Sequence, residues 1–154
     1  MIKTGEQAPD FELPDQDGHP VRLSTVLQDG PVVLFFYPLA SSGGCTQESC
    51  HFRDLASEFA AVGAQRVGIS ADSVERQHTF STANSFDYPL LSDPDGAVAK
   101  QFGAKRSWLA ALPVKRKTFV IDTDRTVLEV IGSEMKFDLH ADDALKTLRE
   151  RQGA

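Results

Sequence analysis

The uninterrupted apolar run Val32-Val33-Leu34-Phe35-Phe36-Tyr37 most restricts what this chain can fold into. A short run of β-branched, aliphatic and aromatic residues with no polar interruption predicts a central strand covered on both faces. A sheet with helices on both sides supplies that environment, so the segments around the run are read for helices. Phe52, Leu55, Phe59 and Val62 recur at helical spacing after Cys45, and Val74 to Asn84 reads as a second helix. Arg66 to Ser70 and Tyr88 to Leu91 read as further strands. Ser92-Asp93-Pro94-Asp95-Gly96 forms a turn into a short helix through Gln101 and Phe102.

Lys117 to Asp122 and Val127 to Ile131 pair across a turn at Thr123-Asp124, and Ala141 to Arg149 closes the order as a helix. At the other end, Phe11-Glu12-Leu13 and Val21-Arg22-Leu23 alternate around Asp17-Gly18, a small hairpin that Pro9, Pro14 and Pro20 confine to an edge. The order is hairpin, βαβαβ, short helix, ββ, α, which predicts a single α/β sandwich with a mixed central sheet over residues 1–154. Gly103 to Leu112 has ambiguous periodicity. It reads as a loop or turn packed by Trp108, with an apolar rim or dimer contact around Trp108 and Leu109 as the functional alternative.

Composition narrows the function. A hydrophobic fraction of 41% and a charged fraction of 25% are those of a globular chain. A net charge of −6 argues against nucleic acid as partner, because phosphate contacts need a clustered positive face. Lys105-Arg106 and Lys115-Arg116-Lys117 are too short to supply one, although they could line a small anionic site. No apolar stretch reaches membrane-spanning length, and Met1 to Asp10 lacks the basic and apolar regions of a secretory leader. The expectation is a cytoplasmic protein without a membrane partner. In a reducing compartment a close cysteine pair is transient or catalytic rather than a scaffold.

Both cysteines lie in Tyr-Pro-Leu-Ala-Ser-Ser-Gly-Gly-Cys-Thr-Gln-Glu-Ser-Cys, residues 37–50. Cys45 begins or nearly begins the helix after the central strand, where Ser41 or Ser42 can cap it and Gly43 and Gly44 let backbone amides approach the sulfur. Free N–H groups and the helix dipole stabilise a thiolate there, the requirement for a nucleophile. If Cys50 shares that helix, five positions separate the two Cα atoms by roughly 8.7 Å. A disulfide needs less than about 7 Å, so the pair bonds only if the first turn or more unwinds. Zinc is disfavoured, since Cys45, Cys50 and His51 would need a fourth ligand from His19, His78 or His140 and none stands at a recognised spacing. Lone histidines are expected at the surface or in local hydrogen bonds. Gly43-Gly44 is not followed by Gly-Lys-Ser/Thr and is no phosphate loop.

The stretch resembles the active site of a peroxiredoxin of the bacterioferritin comigratory protein or Q-type branch. The family pattern of Pro, three residues, Thr or Ser, two residues, Cys is met by Pro38, Ser42 and Cys45, and the branch's second cysteine by Cys50. Further ordered matches run from Gly5 to Asp15, Phe35 to Pro38, Phe52 to Asp54, Tyr88 to Gly96 and Arg116 to Asp122. The resemblance implies a thioredoxin-like fold with an added amino-terminal hairpin. It implies that Cys45 is the peroxidatic thiol, that Ser42 orients the hydroperoxide, that Pro38 shields the sulfur and that Arg116 holds the thiolate. It implies further that Cys50 resolves Cys45 sulfenic acid into a disulfide, which thioredoxin or a glutaredoxin-like dithiol reduces, in a monomer or a dimer and without a cofactor.

The chain departs from the family's Thr-Pro-Gly-Cys in having Ser42-Gly43-Gly44-Cys45, which predicts a looser first turn. The alternatives are a one-cysteine peroxidase resolved by an external thiol, and a redox-sensing or chaperone-like binding protein. A protein thiol-disulfide oxidoreductase would ordinarily carry Cys-x-x-Cys, which is absent.

Overall fold

A computed structural model describes residues 2–105 and 114–153. The central run forms β3 (Val32–Phe36), and all five of its residues are buried. It pairs in parallel with β4 (Gln65–Ser70), which pairs in parallel with β5 (Leu90–Ser92). On its other side β3 pairs antiparallel with β6 (Lys117–Ile121), and β6 with β7 (Val127–Gly132). The sheet order is therefore β5-β4-β3-β6-β7, mixed and centred on the most apolar strand.

Because successive strand side chains point to opposite faces, the run divides its residues between two cores. Val32, Leu34 and Phe36 pack with Phe102, Phe119, Leu23 and Leu27. Val33, Phe35 and Tyr37 pack with Cys45, Phe52, Phe59, Phe80 and the apolar residues Leu145 and Leu148. The second core is covered by α2 (Gly43–Asp54), α3 (Ala56–Ala61), α4 (Val74–Asn84) and α6 (Leu139–Gln152), and the first by α5 (Ala97–Phe102) with the amino-terminal region. Phe35 stacks on Phe52 with centroids 4.1 Å apart, which anchors α2 directly over β3.

The edge hairpin is β1 (Glu12–Pro14) against β2 (Pro20–Arg22), a separate two-stranded sheet in which Pro14 and Pro20 face one another. The α/β sandwich with a mixed sheet is the one expected from the element order, and with the added hairpin it is the thioredoxin-like fold that the resemblance implies. Two local differences stand out. Leu23 starts a short helix, α1 (Leu23–Val26), instead of extending the hairpin. The single helix expected after Cys45 is two, because Leu55 leaves helical geometry at φ −95° and ψ 19°. Trp108 and Leu109 lie outside the described residues. No helix among the described residues is long and apolar enough to cross a membrane.

Candidate active site

The loop after β3 is held from below before it reaches the cysteine. Tyr37 N–H donates to the Ile69 carbonyl at 3.1 Å, and Ala40 N–H donates to Asp72 Oδ2 at 2.8 Å. Asp72 also accepts from Ser70 Oγ at 2.7 Å, and Gln77 donates to Ser70 Oγ and to the Leu91 carbonyl. Tyr37 completes this buried web by donating its hydroxyl to Gln77 Oε1. Buried polar groups satisfied in this way hold a loop in one conformation. Ser41 then takes a left-handed φ of 66°, which turns the chain into the helix.

Ser42 is the N-cap of α2, with φ −72° and ψ 157°. Its Oγ accepts from Cys45 N–H at 3.4 Å and donates to the Leu39 carbonyl at 2.9 Å. Cys45 is thus in the first turn, where N–H groups without helical partners favour an anion. It is fully buried. Arg116, immediately before β6, donates from Nη2 to Cys45 Sγ at 3.3 Å and from Nη1 to Glu48 Oε1 at 2.8 Å. Its own backbone N–H donates to Glu134 Oε2 at 2.9 Å, its Nε donates to the Glu134 carbonyl, and its guanidinium lies over the Phe137 ring at 4.8 Å. A fork this constrained presents its donors in a fixed direction.

Gly44 makes the approach possible. A Cβ there would lie 2.5 Å from Phe137 and 3.3 Å from Arg116 Nη2. Pro38 is buried in the loop, two residues beyond the end of β3. Cys50 stands further along α2, half-buried, with Sγ 3.6 Å from Asn84 Oδ1 on α4. Both thiols are free, and both lie within the continuous helix Gly43–Asp54.

Sequence reasoning named Pro38, Ser42, Cys45, Cys50 and Arg116, and the fold brings Ser42, Cys45 and Arg116 into one hydrogen-bonded group. It missed Glu48, Thr118, Glu134, Phe137 and His140. Glu48 was detectable in principle, since it sits three residues after Cys45 on the same helix face. Burial pushes its carboxyl up to about 8 even though Arg116 opposes the shift, so the cost of burying the charge outweighs the ion pair. Of the histidines, His19 and His78 are exposed as expected, whereas His140 is fully buried. Asp15, Asp17 and His19 cluster at the hairpin turn, where Asp15 Oδ1 accepts from the backbone N–H groups of Asp17 and His19.

A helix-start cysteine under a fixed guanidinium, on a thioredoxin-like sheet, is an arrangement suited to thiol redox chemistry. Residues 4–130 match the AhpC/TSA family. The chain is 65% identical over 149 residues to a Mycobacterium tuberculosis protein named a putative peroxiredoxin, covering 96% of this chain and 97% of that one. The crystal structure of the peroxidoxin BcpB from the same organism superposes with a TM-score of 0.93 at 63% identity, covering 97% of this chain and 98% of that one. The bacterioferritin comigratory protein of Xanthomonas campestris gives a TM-score of 0.85 at 29% identity over 97% and 99% of the two chains. The chain belongs to the AhpC/TSA family, in the bacterioferritin comigratory protein and Q-type branch. It is a peroxiredoxin-type thiol peroxidase, taking a peroxide as oxidant and a thiol as reductant.

Proposed function

We propose that Cys45 is the peroxidatic thiol and Cys50 its resolving partner. The observation that carries the first assignment is the donation from Arg116 Nη2 to Cys45 Sγ in the first turn of α2. Cys45 thiolate attacks the terminal oxygen of a hydroperoxide; the S–O bond forms, the O–O bond breaks, and the alcohol or water leaves with a proton. Arg116 meets the charge developing on the leaving oxygen. Ser42 orients the peroxide after its hydroxyl turns from the Leu39 carbonyl, and Pro38 keeps water from beneath the sulfur.

Cys50 then attacks the sulfenic acid, releasing water and forming the Cys45–Cys50 disulfide. A dithiol of thioredoxin or glutaredoxin type reduces it by exchange. Since both cysteines occupy one continuous helix, their bonding requires the start of α2 to open. Alkyl hydroperoxides join hydrogen peroxide as substrates, a reading supported by the alkyl peroxide reduction of the Xanthomonas relative. The working unit proposed is a single domain, acting as a monomer or a dimer in the cytoplasm, a reading that rests on the family resemblance.

One equivalent of hydrogen peroxide added to the reduced protein tests this, with intact mass and free thiols followed beside Cys50→Ser. The expected result is loss of about 2 Da and both thiols in the parent, against about +16 Da in the variant, one oxygen on the first oxidation rung. A parent that stops at sulfenic acid assigns resolution to an external thiol. No reaction at Cys45 in either protein removes the peroxidatic assignment.

A further inference from the structure

Behind Arg116 lie a buried acid and a buried histidine that no step above uses. Glu48 and His140 are both fully buried. Glu48 Oε1 accepts from Arg116 Nη1, whereas Oε2 has no hydrogen-bond partner among the described residues and lies 3.6 Å from His140 Nδ1. The surroundings of that imidazole fix what it can offer. His140 Nε2 is 2.8 Å from the Ser133 carbonyl oxygen, which only accepts, so Nε2 carries the ring hydrogen. In the neutral ring Nδ1 is then an acceptor, and it takes the hydroxyl hydrogen of Thr118, 2.7 Å away.

Neither neighbour therefore has a hydrogen left for Glu48 Oε2. Burial holds His140 below the usual histidine range; the bond to Ser133 opposes this, the charge of Arg116 adds to it, and Asp143 opposes it. An ionised Glu48 would point one buried oxygen at lone pairs alone, the situation that desolvation penalises most. The upward displacement of the Glu48 carboxyl is in the same direction.

Arg116 meanwhile faces two acids, with Nη1 on Glu48 and Nη2 on Cys45. One guanidinium balances one anion. We propose that His140 is a positioning residue that decides which of the two is ionised: by offering Glu48 Oε2 no donor it keeps that carboxyl protonated, leaving the charge of Arg116 to the Cys45 thiolate. Among the described residues the titratable groups around the pair are Cys45 on α2, Arg116 before β6, Asp143 on α6, and Glu134 between β7 and α6, which binds the far side of Arg116. The consequence for turnover rests on Cys45 being the peroxidatic thiol, but the distribution of charge can be measured without peroxide.

The test uses the full chain with Cys50→Ser, which leaves Cys45 as the sole cysteine, and follows thiolate ultraviolet absorbance from acid to alkaline pH. His140→Asn introduces an amide able to donate to Glu48 Oε2 while accepting from Thr118. Its expected effect is a fall of about tenfold in the thiolate-to-thiol ratio at a given pH, the equivalent of one pH unit. Glu48→Gln, neutral at every pH, is expected to keep the parent ratio below about pH 8, where the parent Glu48 holds its proton, and to abolish the effect of His140→Asn when the two are combined. A folded His140→Asn protein with the parent profile overturns the proposal. So does a Glu48→Gln protein whose ratio falls, and that arm decides alone if His140→Asn does not fold. A merely structural role for His140 would lower thermal stability and leave the profile in place. A protein with the expected profile but no peroxide turnover would instead remove the peroxidatic role of Cys45.

Discussion

Arg116 shows how much one side chain is asked to do: two donors of a single fork reach two different partners, and its π face rests on Phe137. A lysine at this position would keep the charge and lose the geometry, since an ammonium cannot hold Cys45 and Glu48 in one plane. Arg116→Lys is expected to lower kcat/KM for hydrogen peroxide by about 10²–10³, the usual cost of removing a donor aimed at a developing oxyanion. Initial-rate kinetics with a saturating dithiol check this, and a loss under threefold would mean that charge alone suffices. Arg116 was legible only through the family resemblance, because nothing in Lys115-Arg116-Lys117 says which of three cations turns inward. Lys115 and Lys117 remain partly exposed while Arg116 is buried.

Among the elements, α2 is the one proposed to carry the chemistry, and it must then open for the proposed disulfide to form. Tyr88 donates its hydroxyl to the Ser49 carbonyl at 2.7 Å, Arg66 donates to the Phe52 carbonyl at 2.9 Å, and Arg53 donates to the Asn84 carbonyl at 2.8 Å. These ties hold the helix around Cys50 against β4 and α4. Tyr88→Phe keeps the packed ring and removes one tie, worth about 1 kcal/mol, so the Cys45–Cys50 disulfide is expected to form about fivefold faster after sulfenic acid appears. Quenched-flow mass spectrometry reads that step, and an unchanged rate would mean that opening begins at the amino-terminal turn alone. That turn starts at Gly43, the first helical residue, with open space around a would-be Cβ and the extended backbone of Ser42 before it. Proline suits such a position. Gly43→Pro with Ser42→Thr is expected to raise stability by about 0.4–1 kcal/mol in urea unfolding and to slow the disulfide step. An unchanged peroxide rate constant would count against any role in activity for these two departures from the family's Thr-Pro. Helix α2 was readable from its apolar spacing, but the break at Leu55 was not, because Phe52, Leu55, Phe59 and Val62 keep helical spacing across it.

At the scale of the whole molecule, Glu48 gives stability a definite pH dependence. Its carboxyl lies at about 8 in the folded protein, above the roughly 4.3 of an unfolded glutamate, so the folded state binds the extra proton. This contribution is fully present below pH 4.3 and is lost as pH rises through about 8. Urea unfolding from pH 5 to 9 should show the parent losing stability relative to Glu48→Gln as pH increases, and parallel curves would mean that Glu48 ionises freely in the fold. Asp87 and Asp122, held low chiefly by hydrogen bonds from Arg66 and Arg151, act with the opposite sign in acid. The sequence by itself determined the central strand, the order of elements, the capped helix start and the close cysteine pair. Each is written in neighbouring residues, through periodicity, capping chemistry and spacing. Only the tertiary structure decided that Glu48 on α2, Thr118 on β6 and His140 on α6 share one buried network with Arg116. Those residues are far apart along the chain, and they meet because β3 pairs with β6 while α6 packs on the same sheet face as α2.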